Sequence, residues 1–155
     1  MARHRRQLIQ LTPEERRAYV AAARTIVLCT HGPHGYPHAV AMWFAADPDE
    51  TVWMTTYRKA QKVLNIRRNP KVALLVESGE TYETLKGVLI RGDAELVEDV
   101  DIVVDVLKRI HTKMSGALPE GVDAAMRERA EKRVAIKVVP RRFASWDHAK
   151  LGGAY

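Results

Sequence analysis

Six stretches of this chain have the composition of β-strands, and most are joined by turns of hairpin length. That pattern constrains the fold more than any other feature. The stretches are Arg24–His31, His38–Ala46, Thr51–Thr56, Lys71–Val76, Leu85–Val97 and Val134–Val139, the last extended past Pro140 by Arg141–Trp146. His31-Gly32-Pro33-His34-Gly35-Tyr36-Pro37 and Asp47-Pro48-Asp49-Glu50 supply the glycines, prolines and aspartates of tight turns. A parallel α/β sheet needs regular strand–helix alternation, which is absent, so the expectation is an antiparallel barrel decorated with helices. With no internal repeat, low-complexity tract or linker, residues 1–155 read as one domain.

Helices fall between and beside the strands. Thr12-Pro13-Glu14-Glu15 combines an N-cap, a proline at the first helical position and a capping-box glutamate, so a helix should run to about Ala23. Ala60, Val63, Leu64 and Arg67 follow helical spacing, and Asn69-Pro70 stops them. Val100, Val103, Val104, Leu107 and Ile110 mark an amphipathic helix, and Val122–Arg133 a shorter one with Glu128 and Lys132 as an i,i+4 pair. Gly87 and Gly92, inside the longest strand, read as bulge or close-packing points.

Charge is more informative when located than when totalled. The net charge is +6, yet no acidic residue lies between Glu50 and Glu77, where Arg58, Lys59, Lys62, Arg67, Arg68 and Lys71 fall. Setting those six aside leaves equal numbers of basic and acidic residues, so the excess points to a local anion site. The segment is a strand ending in Thr55-Thr56-Tyr57 that runs into a helix start. Such a junction offers free backbone N–H groups, a positive dipole end and hydroxyl donors to a phosphate. Lys59 and Lys62, three apart, are expected on one helix face. A solvated basic helix face would have the same composition.

Other functional classes find less support. The basic cluster has only Tyr57 as a stacking residue, against nucleic-acid binding. Apolar content is ordinary, and Pro13, Glu14 and Glu15 interrupt the chain after the basic N-terminus, so neither a membrane span nor a signal peptide is expected and the protein reads as cytoplasmic. His31, His34 and His38 share a loop lacking cysteine or carboxylate, so turn and pocket-rim roles are expected rather than metal ligation. The single cysteine, Cys29, is read as a small core residue. Trp43, Trp53 and Trp146 are candidates for core or pocket aromatics.

Three segments carry a family resemblance: Gly35-Tyr36-Pro37-His38-Ala39-Val40-Ala41-Met42-Trp43-Phe44; Lys62-x-x-Asn65-x-Arg67-Arg68-Asn69-Pro70 leading into Val72-Ala73-Leu74; and Trp146-Asp147-His148-Ala149-Lys150-Leu151-Gly152-Gly153. In these the chain resembles the flavin/deazaflavin-binding split-barrel superfamily, which includes pyridoxamine 5′-phosphate oxidases, and above all its coenzyme F420-dependent B-type branch. The resemblance implies a mainly β fold with helices, a six-stranded antiparallel split β-barrel that is dimeric. It implies an oxidoreductase acting on a small-molecule substrate, with coenzyme F420 as cofactor and FMN as the alternative. A non-catalytic carrier of flavin, deazaflavin or haem would use the same residues. Carried over, the resemblance puts the cofactor phosphate on Lys62, with Thr55, Thr56, Tyr57, Lys59 and Asn65 in its segment. It puts the ring edge against backbone groups of Val40, Ala41, Met42 and Trp43, and brings Trp146 to the pocket from a partner chain. No catalytic side chain is assigned. Val40–Ala45 lacks the arginine and lysine of pyridoxamine phosphate oxidases, which disfavours vitamin B6 oxidation. Ala41 stands where the B-type enzymes often have proline, leaving the choice between deazaflavin and FMN open.

Overall fold

The computed structural model describes residues 5–153; Met1–His4 and Ala154–Tyr155, at the basic N-terminus and the closing tail, lie outside the described residues. The elements run α1 (Arg5–Leu8), α2 (Pro13–Ala22), β1 (Thr25–His31), β2 (Pro37–Trp43), β3 (Ala45–Ala46), β4 (Val52–Tyr57), α3 (Gln61–Arg68), β5 (Lys71–Ser78), β6 (Lys86–Val97), α4 (Val100–Ser115), α5 (Asp123–Glu131) and β7 (Arg133–Asp147). Among the described residues the strand pairings are antiparallel, and one sheet takes the order β2-β1-β5-β6-β7-β4-β3.

The sheet therefore has seven strands rather than the six expected. The expected strand His38–Ala46 is divided at Phe44: β2 pairs with β1, while β3 pairs with β4. Trp43 is exposed, but Phe44 and Ala45 are both buried, so the two-residue alternation of a single strand fails at this point. Phe44, fully buried, turns the chain from one sheet edge to the other. Because β2 and β3 are the two outer members of the sheet, this one residue joins its edges and curls the sheet on itself.

Local expectations held where a short-range cause was present. Thr12 caps α2, its hydroxyl accepting from the Glu15 N–H at 3.2 Å while the Glu15 carboxylate accepts from the Thr12 N–H at 2.7 Å. Gly92 faces Pro140 at a register shift between Arg91 and Gly92, and a Cβ on Gly92 would lie 2.6 Å from the Val139 carbonyl oxygen. The bulge lets β7 pass through Pro140, which lacks an N–H, as one long strand. The Glu128–Lys132 pair does not form, because α5 ends at Glu131 and Lys132 caps it.

The main core fills the curled sheet with Ile26, Leu28, Phe44, Met54, Leu74, Ile90 and Ile136 among others. A second cluster, including Val103, Val106, Ile110 and Ala135, packs α4 over the β3–β4–β7 end. Cys29 joins neither cluster. Leu28 and Thr30 point inward, so the strand period puts Cys29 on the outer face, half-buried, correcting its reading as a core residue.

Candidate functional site

The acid-free segment forms the junction of β4 and α3. β4 alternates, with Val52, Met54 and Thr56 inward and Thr55 on the other face. After Tyr57 the chain makes a turn closed by the Ala60 N–H donating to the Tyr57 carbonyl at 3.0 Å. Ala60 is extended and starts α3 without a side-chain cap; the Val63 N–H donates to the Ala60 carbonyl at 3.0 Å, while the Gln61 and Lys62 N–H groups meet no side-chain acceptor. No acidic residue occupies that first turn. Lys59 thus lies in the turn, exposed, and does not share a helix face with Lys62 as its spacing predicted.

Lys62 is half-buried and donates from Nζ to the Thr56 hydroxyl at 3.3 Å. Burial pushes its pKa below the ordinary lysine value. Among the described residues it has no carboxylate partner. Of the six cations in the segment, Arg67 pairs with Glu98 at 3.0 Å and Lys71 approaches Asp93 at 3.9 Å. Arg58 donates to the Arg133 carbonyl and Arg68 to the His31 carbonyl, both uncharged. Lys62 is therefore a partly desolvated cation at an uncapped helix start with a hydroxyl beside it, an arrangement suited to an anion.

Asn65 is fully buried. Its Nδ2 donates to the Thr30 hydroxyl at 3.0 Å, and its Oδ1 accepts from Gln61 Nε2 at 2.8 Å and an Arg68 guanidinium nitrogen at 3.2 Å. This side chain anchors α3 to β1 and so fixes the height of Lys62. Thr30 and Gln61 were not singled out in the sequence, and Arg68 was read only as one of the clustered cations. The signal available was Asn65 itself, a polar residue between the buried apolar positions Val63 and Ile66, which requires buried partners.

The other candidates lie elsewhere. β2 is an edge strand pairing only with β1, so half of its backbone N–H and C=O groups face away from the sheet. Val40 and Met42 pack against the core, while Ala41 is exposed and Trp43 is 58% exposed. Tyr57, 59% exposed, stacks under the Arg133 guanidinium at 4.4 Å. Trp53 belongs to the second cluster, with its indole N–H donating to Asp47 at 2.7 Å. Trp146 sits at the far end of β7: Tyr57 pairs with Arg133 at one end and Gly87 with Trp146 at the other, about 40 Å apart along the strand. The fold does not bring Trp146 to Lys62 within one chain.

Polar residues of the C-terminal signature hold the tail in place. Asp147 accepts from the Ala149 N–H and pairs with Lys86 at 3.1 Å; His148 Nδ1 meets the Tyr82 carbonyl at 2.8 Å; Lys150 donates to the Gln10 carbonyl and Glu15. Together they seat Trp146 over Gly87, where a Cβ would fall 2.2 Å from the indole ring. His31 and His34 are exposed and His38 is half-buried. Among the described residues no group of three His, Cys, Asp or Glu side chains could hold a metal, and no helix is long and apolar enough to cross a membrane.

A curled antiparallel sheet with an anion-ready strand–helix junction beside it is the architecture of a split β-barrel. Residues 12–147 match the family described as pyridoxamine 5′-phosphate oxidase, and the chain belongs to that family. Among solved structures it is similar to the conserved hypothetical protein Rv2991 from Mycobacterium tuberculosis, with 37% identity and a TM-score of 0.87 over 95% of this chain and 91% of that one. An F420 reductase is 30% identical, with a TM-score of 0.66 over 85% of this chain and 98% of that one. HutZ, the haem storage protein of Vibrio cholerae, shares the fold at 15% identity and a TM-score of 0.66, covering 91% and 99% of the two chains. No curated protein matches the chain.

Proposed function

We propose that the protein is an oxidoreductase that binds coenzyme F420, with its phosphate at Lys62, and transfers hydride to or from a small organic substrate. The observation that carries this reading is Lys62 itself, desolvated, without a carboxylate partner and set at an uncapped helix start. The 30% identity to an F420 reductase over nearly all of that chain supports the deazaflavin over FMN.

When bound, the cofactor supplies a tricyclic ring able to give or take hydride. The chain's own share is positioning and electrostatics. Thr55, Thr56 and Lys59 flank the anion, Lys62 neutralises it, and Asn65 holds the helix that presents Lys62. The outward backbone groups of Val40–Trp43 offer hydrogen bonds to a planar ring edge, with Trp43 beside it.

The site is completed in a homodimer. Ala41, Val27, Leu75, Leu89 and Ala144 are mutual register partners across β2, β1, β5, β6 and β7, forming one apolar row. None belongs to a core cluster, so the row lies open on the outer face, as expected of a surface matched to a second copy. The partner would then deliver Trp146, whose place on β7 keeps it from the Lys62 site of its own chain.

The test is a fluorescence titration of the purified protein with coenzyme F420 and with FMN, followed by hydride transfer from reduced F420 to a panel of enones and quinones. Tighter F420 binding with turnover is expected. Lys62→Met should weaken F420 about 10- to 100-fold, the worth of one charge-assisted hydrogen bond. Preference for FMN would overturn the cofactor assignment, and binding without turnover would make the protein a carrier. Leu75→Asp should yield a monomer by sedimentation.

A further inference from the structure

A groove of about 480 Å³ runs between the Gly32–Pro37 loop and the outer face of β1, β5, β6 and β7. That volume suits a small organic molecule. The groove does not include Lys62, Thr55, Thr56 or Lys59, and meets the Lys62 junction only through Thr30 and His31, which bond Asn65 and Arg68. It lies two residues along each strand from the apolar row, where the register partners are Ala39, Cys29, Ala73, Arg91 and Arg142. Cys29 and Ala73 keep the floor low because their side chains are short. Tyr36, 78% exposed, stands on one wall.

Charge in the groove is unbalanced. Lys71, Arg91, Arg141 and Arg142 line it against the single carboxylate of Asp93. Asp93 is already engaged, accepting from Arg141 Nε at 2.7 Å with Lys71 Nζ at 3.9 Å, and these cations hold its pKa below the ordinary value. Arg91 and Arg142 face each other directly across β6 and β7, and neither makes an ion pair or side-chain hydrogen bond with another described residue. Like charges in opposed cross-strand positions destabilise a sheet. By contrast Arg16, Arg67, Arg109, Arg127 and Arg141 each have a carboxylate partner.

From the groove, its exposed aromatic wall and its two unpaired guanidiniums, we infer a second ligand site for a flat organic anion. Its phosphate or carboxylate group is gripped by Arg91 and Arg142, and its apolar body lies over Cys29 and Ala73 beside Tyr36. Two forked donors set side by side match a planar or tetrahedral oxyanion better than a single ammonium does. The inference uses neither Lys62 nor the Val40–Trp43 backbone.

The experiment is calorimetric titration of the intact protein with phenyl phosphate and with inorganic phosphate. Phenyl phosphate should bind more tightly than inorganic phosphate. Changing Arg91→Gln and Arg142→Gln together should weaken it at least tenfold, and Tyr36→Ala should erase its advantage over inorganic phosphate. The double arginine variant should also melt higher than wild type without ligand, because a repulsive pair is gone, which separates lost binding from misfolding. Absence of phenyl phosphate binding, affinity unchanged by loss of the arginine pair, or a lower unliganded melting temperature in the double variant would each overturn the inference.

Discussion

Replacing Lys113 with methionine should stabilise the protein at neutral pH. Lys113 lies near the end of α4 with Nζ closed off from solvent and without a hydrogen-bond partner, 3.7 Å from the centroid of the Phe44 ring. Burial, with a smaller contribution from the nearby Arg24 charge, pushes its pKa from 10.5 down to about 8. At about 1.36 kcal/mol per pH unit, that drop corresponds to about 3.4 kcal/mol against the charged form. The side chain is only half-buried, and solvent screening reduces the penalty to about half. Attraction of the ammonium to the Phe44 face offsets a further 0.5–1 kcal/mol or so. A net cost of about 1 kcal/mol remains. Because the folded pKa lies below the unfolded one, the unfolded chain binds more protons between about pH 8 and 10.5, so stability rises with pH across that window. Lys113→Met keeps the apolar stem and removes the charge. Its melting temperature should exceed that of wild type by about 2–4 °C at pH 7, and the difference should close by about pH 10. Thermal melts of both proteins at the two pH values measure this. A less stable variant at pH 7, or a difference that does not change with pH, would falsify the argument by showing that the Phe44 contact outweighs desolvation.

The remaining predictions concern the scaffold of the site. Asn65→Leu should cost about 2–3 kcal/mol, seen as a lower urea midpoint, because Thr30, Gln61 and Arg68 lose their shared partner. Gly92→Ala should cost about 1–3 kcal/mol in the same assay, since its Cβ meets backbone that cannot move without opening the bulge. Gly87→Ala should displace the Trp146 ring, shifting its fluorescence and weakening cofactor binding more than it lowers the melting temperature.

How much of this was legible in the sequence depended on the range of the cause. The α2 capping box and the Gly92 bulge are set by neighbours in the chain or across one strand pair, and their residues announce them. The turn after Tyr57 was misjudged because Lys59 stands three residues before Lys62, a helical spacing, while the hydrogen bond closing the turn reaches back to Tyr57. Cys29 was misplaced because an apolar run hides which face each residue takes. The Lys62 cluster was visible as charge without counter-charge. The partners of Asn65, the open apolar row and the Arg91–Arg142 pair were not visible, since each exists only through cross-strand register or packing between distant segments.

The Phe44 switch bears on how this chain can change over generations. Insertions in the Gly32–Pro37 loop alter only what overhangs the groove. A single insertion or deletion between Trp43 and Ala45 would rotate one half of the segment by a strand face, turning either Trp43 or Ala45 to the wrong side. Diversification of this scaffold is therefore free at the loop end of β2 and locked at its Phe44 end, so new ligand preferences should arise by loop replacement while the count of residues through the switch stays fixed.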